Sequence, residues 1–243
     1  MLRCIRQIIG VAYLQLVFVR RQPTWLLQGF VSAIGFTMIL YVWGSLDALK
    51  NLVIAYIITG AWGLGLNIVA QTIGWDKINH SLEYYVASPV TLPIYFMGTI
   101  LGSSPFLIPN IIPAIVVAML FKMDLFPLVM LIPLSFIALL LGAFLSLSII
   151  LRIKNRTNIS AVTNPLYTLT ITLPPVYYPL YALPLPLRWV ALIIPSVPIM
   201  EIARWVTGYA AIACNPLFSL ASLTAWMISM TLIITKKFKW GLN

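Results

Sequence analysis

The chain holds few side chains able to do acid–base or nucleophilic chemistry, so their placement carries the argument. Its one histidine, His80, stands four residues after Asp76 and three before Glu83, spacings at which side chains on one helical face pair. Such a trio is either a proton-handling set or the solvated face of a surface helix. Glu201 and Arg204, three apart, can pair in the same way, as an ordinary helix-end ion pair or as an anchor for neighbouring segments. Cys4 and Cys214 lie at opposite ends of the chain and offer neither metal spacing nor a disulfide framework. Two uncharged stripes remain. Tyr56, Gly60, Gly63, Asn67 and Gln71 recur every three or four residues, as do Thr163, Tyr167 and Thr170, so each set occupies one helix face. That face either packs closely through small residues or lines a pathway.

The elements that must position these residues are set by composition. The 243 residues are 61% hydrophobic and 8% charged, against about 25% charged in a soluble domain. A soluble fold cannot hide that much apolar surface. A bilayer core of about 30 Å needs a helix of roughly 20 apolar residues, and the apolar stretches here give room for about six. The expected fold is an all-α membrane protein: six transmembrane helices, an N-terminal interfacial helix, and an external re-entrant helix pair before the last span. One membrane domain over residues 1–243 leaves no room for a soluble catalytic or nucleotide-binding domain.

Residues 2–19 mix apolar positions with Arg3, Arg6, Gln7 and Gln15 and suit a helix lying in the interface. With no small-residue cleavage site, they read as retained and not as a signal peptide. Spans follow at residues 25–43, 52–72, 92–121, 127–151, 159–173 and 217–235. The third is broken by Pro105, Pro109 and Pro113, which predicts a kink or an unwound turn. Residues 75–88 are too polar to span and helix-like in pattern. Residues 174–213 combine apolarity with seven prolines from Pro174 to Pro198, which predicts short shielded helices dipping into the membrane and returning.

The net charge of +10 comes from bases flanking apolar runs, which points to orientation and lipid headgroups, not to nucleic acid. One side holds Arg3, Arg6, Arg20, Arg21, Lys77, Arg152, Lys154, Arg156, Lys236, Lys237 and Lys239; the other holds Lys50, Lys122, Arg188 and Arg204. The positive-inside rule then makes both termini cytoplasmic, with residues 75–88 inside and the proline-rich segment outside. An ion-coupled transporter needs ionisable groups at mid-membrane depth, and the six spans contain none. An intramembrane enzyme needs a converging base, nucleophile or metal set, and none is visible. With neither gradient nor chemistry in the membrane, energy must come from a partner ATPase on another chain, since no Gly-x-x-x-x-Gly-Lys-Ser/Thr loop occurs here.

A resemblance then becomes specific. Pro179, Pro184, Pro195, Glu201 and Arg204, with Val176-Tyr-Tyr-Pro179 and Leu187-Arg-Trp-Val190 among them, resemble the late signature of the ABC-2 type transporter permeases. Ser81-Leu-Glu83 followed by Ser88-Pro89 is similar to the family's Thr-Leu-Glu and Ser-Pro in the loop after the second helix, although Lys77-Ile78 and His80 stand where the family has Arg-Glu and Gly. The resemblance implies a transport subunit that is not itself an enzyme. It would work beside a separate ABC ATPase, which binds ATP and Mg, and beside a second copy of itself. Coupling would fall on Asp76, Lys77, His80, Glu83 and Tyr84. The pathway would fall between two copies, on the stripes of the second and fifth helices. Tyr177, Tyr178 and Tyr181 become either interface-belt aromatics or part of an outer gate. The expected cargo is hydrophobic or amphipathic, a drug, a lipid or a lipid-linked glycan, exported across the cell membrane. A non-energised channel or scaffold without an ATPase partner is the other reading.

Overall fold

The computed structural model describes residues 2–21, 23–238 and 240; Lys239, counted above among the basic residues, lies outside them. The described residues are mostly helical, with no strand among them, and form an all-α membrane protein. Helix α1 (Leu2–Arg21) is followed directly by α2 (Pro23–Trp43). After a tight turn, Ser45 caps α3 (Leu46–Gly63) by accepting from the Ala48 amide. The helix then runs on without a break. It passes through a π-helical segment (Leu64–Val69) into α4 (Ala70–Ile78), making one rod of 33 residues.

This rod is the centre of the molecule. Leu52, Val53, Ile54, Ile58 and Trp62 of α3 are fully buried. Helix α9 (Leu131–Ile150) crosses it where both helices lack a Cβ: a methyl group on Gly65 would run into the Leu139 carbonyl, and one on Gly142 would stand 2.7 Å from the Trp62 carbonyl oxygen. Close approach through glycine supplies the dispersion contacts that hold helices together in lipid, where apolar burial gives no advantage.

The expected kink in the third span is present. Helix α6 (Leu92–Ser103) gives way to a 3-10 turn (Ser104–Leu107) at Pro105 before α7 (Ile108–Leu120) resumes. Helix α1 lies along α6, with Val11 against Gly98 and Ala12 against Gly102, and it turns Leu2, Ile5, Ile9, Tyr13 and Leu14 outward.

A short turn of helix, α8 (Phe126–Val129), leads into α9. Asn155 caps α10 (Arg156–Tyr167), which ends in a second π-helical segment (Thr168–Thr172). The proline-rich region is two short helices, α11 (Leu185–Ile193) and α12 (Ser196–Thr207), bent 105° apart. Pro179, Pro184 and Pro195 each stand immediately before a helical turn or helix. There their missing N–H is no loss and their fixed φ suits helix entry. Gly208, at φ 65°, closes α12, and α13 (Pro216–Lys237) is the last helix.

Among the described residues, six helices are long and apolar enough to cross a membrane: residues 2–21, 23–43, 46–78, 92–120, 126–150 and 216–236. The count equals the expected one, but the membership differs at two places. The N-terminal helix is also long and apolar enough, while the segment expected at 159–173 is helical from Arg156 to Thr172, just short of that length, and ends where Pro174 begins the irregular stretch.

The polar segment 75–88 also departs from one helix. Its first residues complete α4, and the chain turns at Asn79 and His80, with His80 at φ 59°, before α5 (Ser81–Ala87). A left-handed residue cannot continue an α-helix.

Candidate functional site

Three places gather polar side chains. The first is a groove of about 570 Å³ between α2, the α3 rod, α7 and α10. The rod contributes Thr59, Gly60, Gly63, Asn67 and Gln71, with Asn67 inside the π segment. A π turn inserts one residue into the helical ladder and is frequent at functional sites. From the stripes singled out in the sequence, Gly60, Gly63, Asn67, Gln71 and Tyr167 reach this groove. Tyr56, Thr163 and Thr170 do not. The Tyr56 hydroxyl donates to the Ala33 carbonyl at 2.5 Å and lies 2.9 Å from the Thr37 hydroxyl. Thr163 accepts from the Gln71 amide at 2.6 Å, and Thr170 from the Trp62 indole at 3.1 Å. These threonines knit α10 to the rod and are buried.

Several groove residues fall outside those stripes: Trp25, Gln28 and Ser32 on α2, Asn110 on α7, and Ser160 and Asn164 on α10. A usable signal was present. A carboxamide in an apolar span is unfavourable in lipid unless it meets a partner or a water-lined surface, so each isolated Asn or Gln marks a candidate. The glycines serve both packing and lining. A Cβ on Gly63 would stand 3.1 Å from the Tyr167 ring, and one on Gly60 would stand 2.7 Å from Asn110 Cβ.

The second place is the α4–α5 turn. Asp76 accepts a 2.6 Å hydrogen bond from the Tyr95 hydroxyl, and Lys77 donates to the Leu151 carbonyl at 2.7 Å. The Arg156 guanidinium lies 5.0 Å over the Trp75 ring. The end of the rod is thereby fixed to the loop that leads into α10. His80 and Glu83 pair at 2.6 Å in the open, and Tyr84 is 81% exposed. Of the five residues expected to couple, Asp76 meets an inward partner and Lys77, itself exposed, is tied to the Leu151 carbonyl, while His80, Glu83 and Tyr84 face outward.

The third place is a buried hub. Arg204 is fully buried, Glu201 is 2% exposed, and their side chains meet at 2.5 Å. The guanidinium also donates to Asn51 Oδ1 at 2.7 Å and, at 3.0 Å each, to the carbonyls of Pro175, Val176 and Tyr178. Asn51 in turn donates to the Tyr177 carbonyl at 2.8 Å, and Glu201 accepts from the Ala213 amide at 2.9 Å. One ion pair thus fastens α12 to the rod, to the irregular stretch after α10 and to the loop before α13. Beside it, partial burial pushes the Cys214 thiol above its ordinary pKa.

The hub touches the groove through one residue. Tyr177, held by its backbone, places its ring 4.9 Å from that of Phe36 and its hydroxyl 3.4 Å from Thr59, a groove residue. Tyr178 and Tyr181 point to the surface, 36% and 48% exposed.

Comparison with curated proteins finds no match. The family model described as ABC-2 type transporter matches residues 7–207, from within α1 to the end of α12. The chain therefore belongs to the ABC-2 type transporter family, as an integral membrane protein and the transmembrane subunit of an ABC-type transporter.

Proposed function

We propose that this subunit works as an exporter, in which two copies of the chain, forming one membrane unit with two separately encoded ABC ATPases, pass an amphipathic substrate outward through the path between them. ATP and Mg belong to the partner. The observation that carries the reading is the rod itself. The helix that furnishes seven groove residues is continuous with the exposed turn at His80, Glu83 and Tyr84, so a push on that turn reaches the groove without an intervening hinge loop. Helix α2, almost none of which is buried, forms one wall of the groove. An exposed polar face on one subunit is completed by its mate across a two-fold axis.

The basic residues orient the unit with both termini cytoplasmic and the α11–α12 pair outside. Single cysteines at Tyr181 and Ala210 are then labelled from outside by an impermeant reagent; labelling from the cytoplasmic face alone reverses the orientation. For the pathway, Asn67→Leu in the complex reconstituted with its ATPase lowers transport and substrate-stimulated ATP hydrolysis while assembly is kept. A cysteine at Asn67 crosslinks to its mate in at least one nucleotide state. Unchanged transport together with no crosslink in any state removes the groove from the pathway and leaves the family membership untouched.

A further inference from the structure

A second cleft touches the rod but shares no lining residue with the groove. It is a slot of about 220 Å³ between α4, α6, α9 and the end of α13. Three of its walls present residues one turn apart: Leu92 and Phe96, Phe144 and Leu147, Ile234 and Phe238. Residues at that spacing share a helix face, so the slot runs along the helix axes, the direction an acyl chain takes in a bilayer. It reaches the core, since Ile73 and Leu147 are 1% and 2% exposed. Thr235, at the rim, gives its hydroxyl to the Leu232 carbonyl at 3.1 Å, and the other described lining residues are apolar.

The slot opens at one end of the bundle. There α4 ends at Ile78, α6 begins at Leu92, α9 ends at Ile150 and α13 ends at Lys237. Further in, the rings of Phe96 and Phe144 meet at 5.9 Å. Three exposed bases stand at the open end: Lys77, one turn past Ile73; Arg152, two residues past α9; and Lys236, next to Thr235. Lys77 gives one donor to the Leu151 carbonyl at 2.7 Å and keeps two. The Asp76 carboxylate is engaged by the Tyr95 hydroxyl at 2.6 Å. The Trp240 ring lies 5.6 Å from that of Tyr95 and 6.5 Å from that of Phe238, an aromatic cluster of the kind found at membrane–water interfaces.

A helix about 10 Å across is too wide for a slot of this volume, and a soluble partner does not reach this depth. One hydrocarbon chain suits both the width and the lining. The bases select the head above it, because cations at the surface attract an acidic headgroup and give a neutral one little.

We infer that the slot is a resident lipid site, in which one acyl chain of an acidic phospholipid of the cytoplasmic leaflet lies against Phe144 and Leu147 while its phosphate meets Lys77, Arg152 and Lys236. The orientation proposed above names the leaflet; the site does not depend on the groove being the pathway. Held there, the lipid joins the cytoplasmic end of the rod to α9 and α13 and steadies the helix that leads to the exposed turn at His80.

The test uses the full chain in phosphatidylcholine nanodiscs carrying either of two photoreactive lipids with the same diazirine-bearing chain, a phosphatidylglycerol or a phosphatidylcholine. The phosphatidylglycerol is expected to label slot residues of α6, α9 and α13 well above the exposed face of α2, in competition with unlabelled phosphatidylglycerol. Joint replacement Arg152→Gln and Lys236→Gln, both at exposed positions, is expected to weaken that labelling about ten- to thirtyfold. Thr235→Trp, which fills the rim and keeps the bases, is expected to remove it. Size-exclusion behaviour and thermal unfolding check that the variants fold, and comparing the two lipids on the unaltered chain needs no variant. Equal slot labelling by both lipids, or labelling unchanged by the double replacement, overturns the acidic headgroup. Labelling spread evenly over the lipid-facing helices overturns the site. Neither result bears on the groove, whose crosslink at Asn67 is read separately.

Discussion

Two acid–base pairs in this chain have the same spacing and opposite surroundings. Glu201 and Arg204 are 2% and 0% exposed at the side chain, whereas Glu83 and His80 are 56% and 77% exposed. In the buried pair every neighbouring hydrogen-bonding group is already used, with Asn51, three loop carbonyls and the Ala213 amide converging on it. In the exposed pair the two side chains meet each other and water. The difference teaches that an i,i+3 pair is an anchor where desolvation makes loss of a partner expensive and adds little to stability where solvent makes that loss nearly free. One end of the molecule is built to hold shape, and the other is left able to meet a second protein.

The comparison can be broken most forcefully at the hub. Arg204→Ala strands the Glu201 carboxylate and releases the 174–179 stretch, with an expected loss of about 3–5 kcal/mol, read as a lower unfolding temperature in detergent. Joint replacement of Glu201 and Arg204 by Leu and Met is expected to recover part of that loss, because two buried charges vanish together; a double variant as unstable as Arg204→Ala would show that the loop hydrogen bonds, not the ion pair, dominate.

Asn51→Ala should cost less, about 1–3 kcal/mol for one buried bridging amide. At the other end Glu83→Lys is expected to change stability by at most about 1 kcal/mol while impairing assembly with the ATPase or coupled hydrolysis. Normal assembly and normal coupling in that variant would remove the α4–α5 turn from the energy path. The smallest effect is expected for Arg156→Gln, which removes only the stacking on Trp75, on the order of 0.5–1 kcal/mol.

Much of the architecture was legible in the sequence because lipid imposes simple rules. Apolar length marked five of the expected spans, and prolines marked the kink at Ser104–Leu107 and the starts of α11 and α12. The site was less legible, for a geometric reason. A stripe at three- and four-residue spacing says which residues share a face but not what that face meets: on the rod it holds from Gly60 to Gln71 through the π segment Leu64–Val69, while Tyr56 turns to the Ala33 carbonyl. On α10 the groove face is Ser160, Asn164 and Tyr167, so the stripe through Thr163 and Thr170 followed the neighbouring face that packs on the rod. Asn51 went unnoticed because its partners, at Val176, Tyr177 and Arg204, are far along the chain. Nothing local announces such a contact. The break at His80 was hidden because only its left-handed backbone, not its composition, ends the helix.

The rod formed by Leu46–Ile78 is about 50 Å long at 1.5 Å per residue, well beyond the roughly 30 Å of a bilayer core. A rod of that length joins the two sides of the membrane in a single piece. Gly65 packs against Leu139 and Ala143 of α9, about 18 Å from Lys77 on one side and about 21 Å from Asn51 on the other. If the rod pivots there, arms so nearly equal would return a sideways displacement at Lys77 as one of similar size and opposite direction at Asn51. Asn51 holds the carbonyl of Tyr177, so such a stroke would reach the residue whose ring stands at the edge of the groove.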